Sequence, residues 1–98
     1  MAHMNIDLKK LWVEVEVLLL KARGLFLNPE SGEDGFSQER FLEYIDHNEL
    51  GMALDELEGI PLYNETTKEF WELLLKAANH MKLKDKALEF EKAISSYA

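Results

Sequence analysis

Apolar residues return every three or four positions along most of this chain. Leu8, Leu11, Trp12, Val15, Leu18, Leu19 and Ala22 keep that rhythm through the first segment, which marks an amphipathic helix. Asn5 is placed to cap its start and Gly24 to stop it. The stretch VEVEV, Val13 to Val17, alternates as a strand would, but the flanking LLLKA and the length of the run favour a helix. The next segment, LNPESGEDGFS from Leu27 to Ser37, is a loop by its Pro, Gly, Ser and Asp content. Ser37 caps a second helix, with Phe36 and Phe41 in the positions of a hydrophobic staple and Phe41 and Ile45 on the buried edge.

A break is expected at His47-Asn48, where Asn48 can cap a third helix. Leu50, Ala53, Leu54 and Leu57 form its apolar face, and Gly59 and Pro61 end it. Asn64 is placed to cap a long fourth helix, with Thr67 near its start and Trp71, Leu74, Ala78 and Met81 along one side. A turn at Leu83-Lys84 leads to a fifth, on which Ala87, Phe90, Ala93, Ile94 and Tyr97 share a face. The pattern predicts an all-α fold, a compact bundle of about five helices. The opening Met1-Ala2-His3 reads as a vector remnant ahead of a native Met4, leaving residues 4–98 as a single helical domain. Both tryptophans, Trp12 and Trp71, fall on apolar helix faces and are expected in the core.

Composition narrows the chemistry. The apolar fraction of 47% suits a globular chain, and without cysteine there is no disulfide, thiol nucleophile or thiolate metal site. That composition and the absence of a signal-peptide pattern fit a cytoplasmic protein. The longest apolar run, Val17 to Leu20, is too short to cross a bilayer, so no membrane association is expected. The net charge of −8 is unevenly spread: residues 28–72 carry thirteen Asp and Glu against Arg40 and Lys68, a net of −11, while 1–27 sum to +1 and 73–98 to +2. An acidic middle disfavours direct nucleic-acid binding, which needs Lys and Arg against phosphates. It favours a basic partner, or serves solubility alone.

Residues with catalytic or metal-binding potential do not assemble into a site. The loop around Asp34-Gly35 departs from a calcium loop: counted from Glu30, position 3 is Gly32, position 8 is Ser37, and position 12 is Phe41 where a bidentate Glu is needed. Asp46 and His47 diverge by about 100° on a helix, and no His-x-x-x-His spacing brings a second ligand to His47. Ser31, Ser37, Ser95 and Ser96 lack an elbow or a base, and there is no Gly-rich phosphate loop. No catalytic residue, metal ligand or cofactor is therefore assigned, and the chain is not expected to be an enzyme.

Helical geometry instead points to a surface. With Phe41 and Ile45 turned inward, Glu39, Glu43, Asp46 and His47 point away; with Leu50, Leu54 and Leu57 inward, Met52, Asp55 and Glu56 point away. Glu65, Glu69 and Glu72 lie opposite the Trp71 side of the fourth helix. Glu39, Glu43, Asp46, Met52, Asp55, Glu56, Glu65 and Glu69 are the candidate partner-binding residues, with Tyr44 at the margin, and His47, Asn48 and Glu49 form a structural junction. Val13, Val17 and Leu20 fall off the main stripe of the first helix, which leaves a homodimer through that helix open.

The pattern Tyr44-Ile45-x-His47-x-Glu49-x-x-x-Ala53-x-x-x-Leu57 resembles the signature of the MafI-like immunity proteins, which include immunity proteins of contact-dependent growth inhibition systems. The resemblance covers roughly Phe36 to Leu83. It implies a small helical bacterial protein that binds and neutralises a secreted polymorphic toxin in the cytoplasm. The implied partner is a cognate toxin C-terminal domain, basic and a nuclease, such as an EndoU-type or tRNA-cleaving RNase. It implies nothing about which residues face the toxin, and His47 and Glu49 would fix the junction by hydrogen bonds. The alternative is a non-catalytic helical adaptor or regulator of a host protein.

Overall fold

The computed structural model describes the backbone of residues 2–97 and the side chains of residues 8–97. Five α-helices follow in order: α1 Ala2–Gly24, α2 Gln38–Asp46, α3 Leu50–Leu57, α4 Lys68–His80 and α5 Lys84–Ser95, with a short 3-10 turn at Ile60–Leu62 between α3 and α4. No strand occurs among the described residues.

The second helix starts as its sequence demands. Ser37 is the cap, its hydroxyl accepting the Arg40 amide at 3.3 Å, and the Phe36 and Phe41 rings meet with centroids 5.8 Å apart to close the staple. It ends in a Schellman turn. Asn48 takes φ 55°, its amide donates to the Ile45 carbonyl, and the Glu49 amide donates to Tyr44 at 2.8 Å. Asn48 thus terminates α2 instead of capping α3. The residue before α3 is Glu49, whose side chain makes no capping bond. Its junction role is carried by its backbone: the amide on Tyr44 and the carbonyl on the Ala53 amide. The fourth helix closes the same way. Lys82 sits at φ 59°, with the Leu83 amide on the Ala78 carbonyl at 2.9 Å.

Two other caps differ from the sequence reading, and the end of α3 falls before Gly59 as expected but for a different reason. The first helix already runs from Ala2, so Asn5 is internal to it. Thr67, not Asn64, caps α4, its hydroxyl accepting the Phe70 amide. Asn64 is instead a clamp between distant segments. Its side chain accepts the Glu30 amide at 2.8 Å and donates to the Glu30 and Ile60 carbonyls at 2.9 Å, which holds the long loop against the 3-10 turn. The third helix stops at Leu57 before Gly59, whose φ of −78° any residue could adopt. What requires glycine there is proximity: a Cβ on Gly59 would lie 2.7 Å from the Phe36 nitrogen and 2.8 Å from the Gly35 carbonyl carbon.

Helix α1 is the spine. It packs against α3 on one side and α4 on the other, while α2 packs on α3 and α5 on α4, giving two helical hairpins flanking one helix. Val15, Leu19 and Ala22 of α1, Phe41 of α2, four α3 residues, Phe70, Leu74, Ala77 and Ala78 of α4 and Phe90 of α5 share one core with Phe36 and Ile60. The Phe26 ring, just past α1, meets Phe70 at the start of α4 edge-on at 5.4 Å. His80 at the far end of α4 borders Val13 and Val17, so α1 and α4 run antiparallel. Trp71 is half-buried against Phe90, and its indole N–H donates to the Thr66 hydroxyl at 3.0 Å and the Tyr97 hydroxyl at 3.2 Å. Trp12 is not in the core: it is 42% exposed, above Asn48, Leu50, Gly51 and Met81. Leu8 and Trp12 stand on the same stripe as Val15 and Leu19, two turns nearer the helix start, but there α1 has reached the α2–α3 junction and the end of α4, so the neighbouring helices no longer cover the stripe.

The two left-handed turns carry opposite consequences for substitution. Lysine pays a steric penalty at φ 59° that glycine does not, so Lys82→Gly is expected to stabilise the fold by about 1 kcal/mol. Asn48→Ala is expected to cost about 1 kcal/mol, since alanine tolerates that conformation less well than asparagine. Urea unfolding of the two variants measures both, and a destabilised Lys82→Gly would contradict the turn assignment.

Candidate protein-binding surface

The outer face of α2 is built by helical spacing alone. Glu39, Leu42, Glu43 and Asp46 follow at steps of three, one and three, so they share one side. All four are exposed, and Leu42 keeps 47% of its surface in solvent. None of the three acids enters an ion pair among the described residues. The result is an apolar side chain ringed by unneutralised carboxylates. Leu42 was missed by a reading that sought acids; the signal available was that it lies three positions from Glu39 and four from Asp46. Tyr44 is half-buried against the core.

Met52 on α3 is also exposed, at 48%. Asp55 is exposed but neutralised: Lys86 of α5 lies 2.6 Å from its carboxylate and also pairs with Glu58. Burial pushes the Glu58 carboxyl up, partly offset by its hydrogen bond to Lys86. Lys86 is pulled down by burial, but its bonds to Asp55 and Glu58 outweigh that and its ammonium is held protonated above its ordinary range. Glu56 corrects the sequence reading outright. Its side chain is only 11% exposed, accepting the Ser37 amide at 2.7 Å and the Arg40 guanidinium at 3.2 Å. The amide of a helix cap is an orphan donor, and Glu56 is the acceptor that α3 brings to it. It is a fastener between helices and not an outward-facing acid.

Glu65, Glu69 and Glu72 are exposed as expected, but Glu65 lies in the loop ahead of the Thr67 cap and not on the fourth helix, and Glu69 and Glu72 belong to the other hairpin. Glu69 and Glu72 border a shallow groove of about 480 Å³ floored by Leu73 and Ile94 between α4 and α5. The acidic middle of the sequence therefore divides: α2 and α3 carry one part of it, α4 another, and Glu30, Glu33, Asp34 and Glu65 sit in the loops before α2 and α4.

His47 is exposed at the α2 terminus, its Nδ1 2.9 Å from the Glu43 carbonyl. That hydrogen bond, opposed by a desolvation penalty and reinforced by Asp46, Glu43 and Glu49, raises the imidazole pKa above its ordinary 6.5. The cationic ring is favoured at a helix C-terminus, where carbonyls point outward. No three His, Asp or Glu side chains are grouped to hold a metal among the described residues.

Because the folded-state pKa of His47 lies above 6.5, its protonated form favours the folded chain. That contribution is complete below pH 6.5 and is lost as pH rises through the folded value. An NMR titration is expected to place His47 above 6.5. The stability difference between wild type and His47→Gln should shrink as pH climbs through that value. Titration at or below the ordinary value would remove the junction's pH dependence.

Comparison of the chain with protein-family models, with curated proteins and with solved structures gives no match, so its function is argued from the chemistry of this surface.

Proposed function

We propose that this protein is an immunity protein: a stoichiometric inhibitor, without chemistry of its own, that binds and neutralises a basic toxin domain. The observation that carries the reading is the α2 face, where Leu42 stands among Glu39, Glu43 and Asp46, all three outside the ion pairs that neutralise Asp55, Glu56 and Glu58. An apolar anchor inside a ring of one charge is how a steered, specific interface is built. A nuclease that grips polyanionic RNA or DNA must present a basic cleft, and a rigid acidic helix competes for such a cleft or its flank. The Tyr44–Leu57 pattern, with its likeness to the MafI-like immunity proteins, supports the same reading. It maps onto the α2–α3 junction, where Ala53 and Leu57 are buried and His47 and Glu49 organise the turn. Met52 extends the surface onto α3; Glu69, with Glu72 on the α4–α5 groove, and Glu65 in the loop before α4 are acids away from it. The protein would act in the cytoplasm, and no described helix is long and apolar enough to cross a membrane.

The test pairs this protein with purified basic nuclease domains of polymorphic toxins, taking first any such domain found encoded next to its gene. Co-expression should protect cells from the domain that it binds. The double reversal Glu43→Lys/Asp46→Lys should slow association by about tenfold or more at low salt, with the rates converging at high salt. Leu42→Ala should act mainly by hastening dissociation. No protection and no binding would move the protein to the adaptor class. Binding with unchanged rates at every salt concentration would remove the α2 face from the interface.

A further inference from the structure

The outer side of α1 carries a second surface with different chemistry. Val13, Val17 and Leu20 are 59%, 44% and 41% exposed, and with Gly24 they follow at steps of four, three and four, the spacing of a coiled-coil seam. Nothing lies within 4 Å of where a Cβ on Gly24 would sit, so the end of the seam is open. The helix is also the only one of the five with a net positive formal charge, four bases against three acids. A chain of net charge −8 can meet another copy here without bringing its acidic faces together.

We infer that this face is a homodimer interface in which α1 packs antiparallel against α1 of a second copy. The seam is self-complementary in one register. A two-fold axis level with Leu18 and Leu19 sets Val17 against Leu20 of the second copy, and Val13, the most exposed of the three, over the bare backbone of Gly24. Like edges of the two helices then face each other. On one edge Glu14 and Lys21 lie two turns apart, so each Glu14 meets Lys21 of the second copy, twice over. On the other edge Glu16 and Arg23 repeat the acid-then-base order. Arg23 already commits donors to Gln38 and the Phe26 carbonyl of its own chain, so the charge pairing across the dimer rests on the Glu14–Lys21 edge. A parallel pair fits worse. It sets Lys10 against Lys10 at a seam position and Gly24 against Gly24, a like-charge contact and a void.

Sedimentation equilibrium on the full chain tests this across concentrations up to about 1 mM, the weak end of specific association. A monomer–dimer equilibrium is expected, abolished by Val17→Asp. That residue is exposed, so circular dichroism and the melting temperature of Val17→Asp should match wild type. Glu14→Lys and Lys21→Glu should each weaken the dimer by about tenfold, and the double swap should restore it. In a parallel pair Lys9 would meet Glu14 and Glu16 would meet Lys21, so the double swap would weaken binding further. A monomer at all concentrations, a dimer indifferent to Val17→Asp, or a double swap that fails to restore association would each overturn the proposal.

Discussion

The close crossing of two backbones at Gly59 governs the rest of the structure. The chain at Gly35-Phe36 passes so near the end of α3 that no side chain fits between them. That approach lets Phe36 enter the core at 1% exposure and brings the Ser37 amide within reach of the Glu56 carboxylate. It also starts α2 at a fixed distance from the end of α3. At the other end of the same hairpin the left-handed Asn48 turn ties the two helices together through backbone hydrogen bonds. A short helix is marginal by itself. Held at both termini, α2 becomes a rigid bar whose inner edge is Phe41 and whose outer edge is the acidic face around Leu42.

Charge is sorted by the same geometry. The hairpin places Glu56 on Arg40 and a helix cap, and the end of α3 meets the start of α5 through Lys86, which serves Asp55 and Glu58. These pairings neutralise the acids nearest the helix contacts and leave those on the outer side of α2 unpaired. The spine helix, mixed in sign and apolar along its seam, is chemically unlike that face. One chain therefore presents two surfaces of different chemistry, an acidic one for which we propose a basic partner and an apolar seam for which we propose a second copy.

Much of the architecture was legible in the sequence because it depends on local chemistry. Three-and-four periodicity placed all five helices. The Ser37 cap and the Phe36/Phe41 staple use residues within five positions of one another. None of the three asparagines expected to cap helices does so, because the residue serves several ends equally well; Asn5 lies inside α1. Asn48 uses its tolerance of positive φ, and Asn64 uses both ends of its amide on Glu30, 34 positions away, which no local pattern encodes. Trp12 is exposed although it lies in line with buried Leu19, because an apolar stripe does not say how far along it the neighbouring helices reach. For the surface, rotation by about 100° per residue correctly turned Glu39, Glu43, Asp46 and Met52 outward. It failed for Glu56, where a long-range unsatisfied amide outweighed the helical projection.

The most direct test is equilibrium unfolding of Gly59→Ala, with amide exchange at Ser37 followed in the same sample. An added methyl has backbone on its far side and no room to yield, so the variant should lose roughly 2–4 kcal/mol. The Ser37 amide should also lose protection as α2 comes away from α3. Wild-type stability with a protected Ser37 amide would mean that the two segments do not cross so closely. The arrangement that presents the acidic face would then need another explanation.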